Sequence, residues 1–435
     1  MIKPNISEMA VRKSRHFLLS WDFILPVILL VLGTIIFRHT NLDLIIQSRY
    51  YLPIGGWAFN TSLIPGLIYK YGNLPALLVS IGSLIVYVLS YSRSRFLPYR
   101  KISIYLVLAF IIGPGILVNS ILKDNWGRPR PRDVIQYGGN YAYEEPLTYD
   151  SSSPGKSFPC GHATMGFYFF AVALVLRQNR RLTASLVLIA SAFWGIIIGW
   201  VRIGQGGHFA SDVLWAGCLV YLCSFLLYRT LSLQKQIYYL PDPTQALKKL
   251  KPHHKLAFLF LGAIIIMGVM LATPYSSKAV YKISEELTTS NSNRIMLNLK
   301  KADLLIEMTD HSNFSYSANG FGFPGSKLKS HHSYTDSIFS FSQKTKGLFT
   351  ELNCEAKLEL DFLHTRHLST KIKQGKARIF VPLAYTDTIF ISPSTKLLAN
   401  SVKHPVAALN QEPENGLWFD VPSLTIETIP ISQRK

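Results

Sequence analysis

Residues 102–131 read ISIYLVLAFIIGPGILVNSILKDNWGRPRP, a long apolar run from Ile102 to Leu122 followed at once by Lys123, Arg128 and Arg130. A bilayer core about 30 Å thick needs roughly 20 mostly apolar residues per helix, so this run can cross a membrane with its basic end at one face. Six further apolar windows repeat the pattern, at 17–37, 74–91, 162–176, 184–200, 213–228 and 256–273. The first carries Asp22 and Pro26 and lacks a small-residue cleavage site, so it reads as a retained helix rather than a secretory signal. A content of 49% hydrophobic and 16% charged residues over 435 positions agrees with a membrane class and excludes intrinsic disorder.

The formal charge of +20 is unevenly spread: residues 1–274 hold 26 basic and 10 acidic residues, whereas 275–435 hold 19 and 15. The excess therefore lies in the oily part, which argues against a basic tail for nucleic acid. Lys3, Arg12, Lys13 and Arg15 precede the first window. Arg93, Arg95, Arg100 and Lys101 follow the second, Arg177, Arg180 and Arg181 the fourth, and Arg229 through Lys255 the sixth. If seven helices alternate, all four segments fall on one side, which predicts a cytoplasmic amino terminus and an outer location for everything after Pro274. Lys123, Arg128, Arg130, Arg132 and Arg202 break that rule by lying at the outer face.

Those misplaced cations accompany two histidine segments, Phe158-Pro-Cys160-Gly161-His162 and Arg202-Ile-Gly-Gln-Gly-Gly-His208-Phe-Ala-Ser-Asp212. Guanidinium groups bind phosphate oxygens in bidentate fashion, and glycine-flanked N–H groups add donors, so the set suits a tetrahedral oxyanion. The spacing from His208 to Asp212 is one helical turn and predicts that the carboxylate orients the imidazole. His208 is then the candidate nucleophile, His162 the acid for the leaving alkoxide, and Lys123, Arg130 and Arg202 the cations that neutralise the phosphoryl oxygens. Arg128 and Arg132 are candidate additional substrate contacts. A cysteine-phosphatase loop would require arginine at position 166, where Gly166 stands, so Cys160 is not read as a nucleophile.

On these residues the chain resembles the type 2 phosphatidic acid phosphatase superfamily. Lys123, Arg130 and Pro131 match its first motif, Pro159, Gly161 and His162 its second, and Arg202, His208 and Asp212 its third. The resemblance implies a six-helix core, a phosphohistidine on His208, His162 as acid/base, and no metal or other cofactor. Cys160 and Val201 stand where the family has serine; a thiol donates weakly, so at Cys160 the expected phosphate contact, shared with Gly161, falls mainly to backbone N–H groups. The run Arg130 to Gly139 and the continuation His162-Ala-Thr-Met-Gly-Phe further resemble bacterial phosphatases acting on lipid A, the glucosamine-based anchor of lipopolysaccharide. That implies a bacterial inner-membrane enzyme with its site and carboxy-terminal part in the periplasm, and a lipid A or phospholipid-type substrate. Undecaprenyl pyrophosphate phosphatase, phosphatidylglycerophosphate phosphatase and a lipid phosphotransferase share the motifs, and position 1 or 4′ of lipid A stays open.

The fold expected is a mainly α membrane protein: a six-helix phosphatase core over 1–255, a seventh transmembrane helix at 256–274, and a β-rich extracytoplasmic domain at 275–435. In the last, short stretches at 295–299, 338–341, 377–383 and 388–391 alternate apolar and polar residues between Gly, Pro, Asn and Ser clusters, as strands and turns do. Phe321 and Phe323 are candidate exposed aromatics for stacking on a sugar.

Overall fold

Five helical stretches among the described residues are long and apolar enough to cross a membrane: Trp21–His39, Leu63–Leu89, Ser94–Lys123, Arg181–Gly204 and Ala210–Thr230. The computed structural model describes residues 20–52, 56–60, 62–139, 141–150, 153, 155–235, 252–283, 293–335, 337–361, 363–382, 385–400 and 403–428. Two of the seven expected windows form shorter apolar helices, Ala163–Leu176 and Phe260–Leu271. Lys3, Arg12, Lys13, Arg15, Lys248, Lys249 and Lys251, on which the expected orientation partly rests, lie outside the described residues, as does the start of the first window.

The helices in order are α1 (Trp21–His39), α2 (Leu42–Ser48), α3 (Leu63–Tyr71), α4 (Leu74–Leu89), α5 (Arg100–Phe110), α6 (Ala163–Phe167), α7 (Phe170–Leu176), α8 (Arg181–Gly204), α9 (Ala210–Thr230) and α10 (Pro252–Leu271). After α5 the chain continues as a π-helical segment over Ile111–Lys123, around Gly113, Pro114 and Gly115. A proline inside a helix removes a backbone donor; within this segment the Asn119 side chain also donates to the Pro114 carbonyl at 2.7 Å. Helix α8 illustrates the packing. It exposes Leu182, Leu186, Ile189, Phe193 and Ile196 along one stripe, the pattern of a lipid-facing surface, and buries Ser191, Gly195 and Gly199 on the other. A Cβ at Gly195 would sit 2.4 Å from the Phe167 ring, so small residues let α6 and α8 approach closely, as membrane helices do.

The chain divides into two compact units, Met1–Ile265 and Ile266–Lys435. The second is a twelve-stranded sheet system with its own core, including Ile295, Leu297, Ile306, Phe314, Phe339, Leu358, Ile379 and Phe419. Strands β1 (Tyr51–Leu52) and β2 (Gly56–Trp57) pair within the first unit, and the second opens with β3 (Thr273–Lys282), β4 (Asn293–Thr309), β5 (Asn313–Gly322), β6 (Lys327–Thr335), β7 (Ile338–Lys346), β8 (Phe349–Asp361) and β9 (Thr365–Val381). Alternation in the sequence located strands here, and the pairing is largely parallel: β4 runs parallel to β7, β8 and β9. The alternation of β4 slips at Lys300 and Lys301, where the buried Gln343 side chain accepts from both backbone N–H groups. Phe321 is buried at 4% exposure, not exposed as its glycine-rich context suggested, while Phe323 is 37% exposed. Alternation along β5 turns Phe314, Tyr316 and Ala318 inward and would leave Phe321 outward, but it breaks at the strand's end, where pairing with β8 shifts register between Phe321 and Gly322.

Candidate active site

Short backbone bonds gather the three motif segments. Ser157 N–H donates to the Arg128 carbonyl at 3.0 Å, Arg132 N–H to Gly206 at 3.1 Å, and Cys160 N–H to Asp212 at 3.1 Å. Gly127 and Gly155 form a β-bridge. Lys123 closes the π-helical segment, His162 precedes α6, Arg202 lies in the last turn of α8, and Asp212 lies in the first turn of α9. Three segments distant in sequence are thus one surface, as the motif order predicted.

At its centre is a buried charge cluster. The Arg128 guanidinium donates to Asp212 Oδ1 at 2.5 Å, Asp43 Oδ2 at 2.9 Å, Ser211 Oγ at 2.8 Å and the Glu144 carbonyl at 3.1 Å. Arg128, Asp43 and Asp212 are each fully buried. Burial would lower the Arg128 pKa, but the charges of Asp212 and Asp43 outweigh it and hold the group above its usual range. Asp43 also accepts from the Ser211 backbone at 3.0 Å and its hydroxyl at 2.5 Å. This revises the sequence reading of Arg128: its donors are committed inside the protein, to groups that lock the first motif to the start of α9, rather than offered to a substrate.

His208 departs from expectation in a related way. Its Nδ1 lies 2.5 Å from the Ser157 carbonyl oxygen and 3.8 Å from Asp212 Oδ2. A carbonyl only accepts, so Nδ1 carries the proton and Nε2 the lone pair. Asp212 instead caps α9, accepting from Phe209 N–H at 2.8 Å and Ser157 Oγ at 2.6 Å. The one-turn spacing was legible, but both groups bond Ser157, Asp212 at its hydroxyl and His208 at its carbonyl, and this residue lies one position before the second segment and outside every motif.

Tyr69 of α3 was also missed. Its ring stacks on His162, with centroids 5.2 Å apart, and lies 4.7 Å beneath the Arg202 guanidinium, so one buried tyrosine positions the second-motif histidine and a third-motif cation. Arg202 is 1% exposed and donates to Gln205 Oε1 at 2.9 Å. Lys123, Arg130 and Arg132 are partly exposed.

Cys160 is fully buried, and burial pushes its thiol up to about 11, against the opposing pull of Arg202 and Lys123. It therefore stays protonated at neutral pH and is no nucleophile. Its N–H, expected for phosphate, is occupied by Asp212, because the second segment must bond to α9 to close the loop. At Gly161 a Cβ would fall 2.3 Å from Asn119 Oδ1, so a side chain there would force the Asn119 side chain to move. Among the described residues no group of three or more His, Cys, Asp or Glu side chains is arranged to hold a metal ion.

Glu144, whose carbonyl receives Arg128, has its carboxyl raised from 4.5 to about 7 by burial, with Asp150 adding to the effect. The folded state thus holds this proton more tightly than the unfolded chain. Its contribution to stability is full below about 4.5 and is lost as pH rises through about 7. Glu144→Gln should flatten the pH dependence of thermal unfolding in detergent across that window; an unchanged slope would show that Glu144 is not its source.

Residues 104–236 match the family model described as the PAP2 superfamily, which bears out the resemblance carried by the motifs. The lipid A 4′-phosphatase of Francisella tularensis subsp. novicida (strain U112) is 37% identical over 142 residues, 32% of this chain and 63% of that protein. The lipid A 4′-phosphatase of Rhizobium leguminosarum is 34% identical over 123 residues, 27% of this chain and 50% of that protein. The chain thus spans less than two thirds of the length of these curated relatives. A PAP2-type phosphatidylglycerolphosphate phosphatase from Bacillus subtilis, known as a crystal structure, aligns with 51% of this chain and 97% of its own at 19% identity and a TM-score of 0.31.

Proposed function

We propose that this chain is a membrane lipid phosphatase that removes the 4′-phosphate of lipid A at the outer face of the bacterial inner membrane. The names of the relatives above support the substrate and position. The observation that carries the mechanism is the bond from His208 Nδ1 to the Ser157 carbonyl, because it presents Nε2 as the nucleophile.

His208 Nε2 attacks phosphorus as the bond from phosphorus to the sugar oxygen breaks, and His162 gives its proton to the departing alkoxide. Lys123, Arg130 and Arg202 neutralise the charge on the non-bridging oxygens. Water, deprotonated by His162, then attacks the phosphohistidine; the P–N bond breaks, the electron pair returns to Nε2, and inorganic phosphate leaves. His208 is fully buried, so the lining must part to admit the phosphate, which meets these cations stripped of most of its water. There each interaction is stronger than in solvent.

Mass spectrometry of lipid A from cells with and without the protein tests the reading. Loss of one phosphate, placed at 4′ by fragmentation, is expected. Unchanged lipid A with consumption of an isoprenoid or glycerol phospholipid phosphate would overturn the substrate while leaving the class intact.

A further inference from the structure

We propose that the helix-proximal edge of the β domain docks onto the bilayer surface, inserting Phe323 and Leu348 and binding anionic lipid phosphates with Lys327, Lys329, Lys344 and Lys346. The argument begins where the chain leaves α10. Strand β3 starts at Thr273, two residues beyond the helix end at Leu271, and Thr350 Oγ1 donates to the Leu271 carbonyl at 3.0 Å. Thr273 pairs with Gly322, and Gly322 with Phe349. The two turns that follow β5 and β7 therefore lie beside the end of an apolar helix. They are bonded to each other, Phe323 N–H to the Leu348 carbonyl at 2.8 Å and Ser326 Oγ to the same oxygen at 2.9 Å.

At this edge the side chains are sorted as an interface requires. Leu348 is 59% and Phe323 37% exposed, two apolar groups at the tips of adjacent turns. Immediately behind them Lys327 pairs across the β6–β7 hairpin with Lys346, and Lys329 with Lys344; all four are exposed. Cross-strand partners share a face, and like charges directly opposite destabilise a hairpin. Here two such pairs are stacked about 7 Å apart, two residues along each strand. None of the four has an ion-pair partner among the described residues.

Lysine on a strand with a free edge also discourages sheet-to-sheet aggregation, and β6 is such a strand, pairing only with β7 among the described residues. That accounts for Lys327 and Lys329. It does not account for apolar tips at the same place. Apolar tips backed by lysines beside a helix end fit a bilayer, where the tips enter the acyl boundary and the ammonium groups meet headgroup phosphates. Charge complementarity therefore selects an anionic membrane.

Hydrogen–deuterium exchange of the full-length protein in lipid nanodiscs tests this independently of catalysis. Amides of Phe323, Gly325, Ser326 and residues 346–349 should exchange about tenfold or more slowly in discs containing phosphatidylglycerol than in phosphatidylcholine alone. Lys327→Glu, Lys329→Glu, Lys344→Glu and Lys346→Glu together should abolish that difference, while the amides of β4 keep their protection. Equal exchange in the two lipids, with β4 protected, overturns the proposal. So does protection that appears in detergent only as protein concentration rises, which would assign the edge to a second copy of the chain.

Discussion

Arg128→Met should yield a protein that accumulates poorly and melts far below the wild type in detergent, before any question of activity arises. The substitution strands Asp43 and Asp212, both fully buried, without the cation that faces them at 2.9 and 2.5 Å. Removing one partner of a buried ion pair costs about 3–5 kcal/mol, and here two carboxylates lose the same partner. Asp43→Asn should be milder, because it leaves Arg128 paired one-to-one with Asp212. The comparison is informative because a substrate contact predicts the reverse. If Arg128→Met melts like the wild type and only KM rises, the buried role assigned to Arg128 is wrong.

His208→Ala should fold normally and lose phosphate release by about 10⁴-fold or more, the scale on which removing a covalent nucleophile acts. Quenching the wild type with labelled lipid should trap a base-stable, acid-labile phosphoryl group, absent from the variant. Full activity in His208→Ala would end the mechanism. Ser157→Ala separates two accounts of how the imidazole is held. The acceptor at Nδ1 is the Ser157 backbone carbonyl, which survives the change, so the variant should lose only the hydroxyl link to Asp212 and keep much more activity than His208→Ala.

The residues missed in the sequence share a cause. Tyr69 and Ser157 belong to no spacing pattern, because each reaches the site from a segment brought there by packing rather than by periodicity. Asp43 carried a faint signal: with Gln47 it marks one face of an otherwise apolar stretch, and both are fully buried. Gln47 Nε2 donates to the Ile203 carbonyl at 2.7 Å, so this short helix holds the end of α8 as well as Arg128. The second window was also too short as read. Helix α3 runs on into α4, and Trp194 Nε1 bonds the Gly72 carbonyl at the junction.

Five of the seven apolar windows as membrane-length helices, the strands that follow and the residues of the three motifs were legible in the sequence. These are local properties: a bilayer selects length and hydropathy, a half-buried strand selects alternation, and phosphate chemistry selects residue types at short spacings. What each charged group faces emerged only with the fold. Arg128 and Arg202 both read as substrate contacts, yet Arg128 lies between two carboxylates while Arg202 lies over a tyrosine beside His162. A charge takes its role from the partners within a few ångströms, because in a buried site their fields and hydrogen bonds outweigh solvent, and those partners come from parts of the chain that only folding brings together.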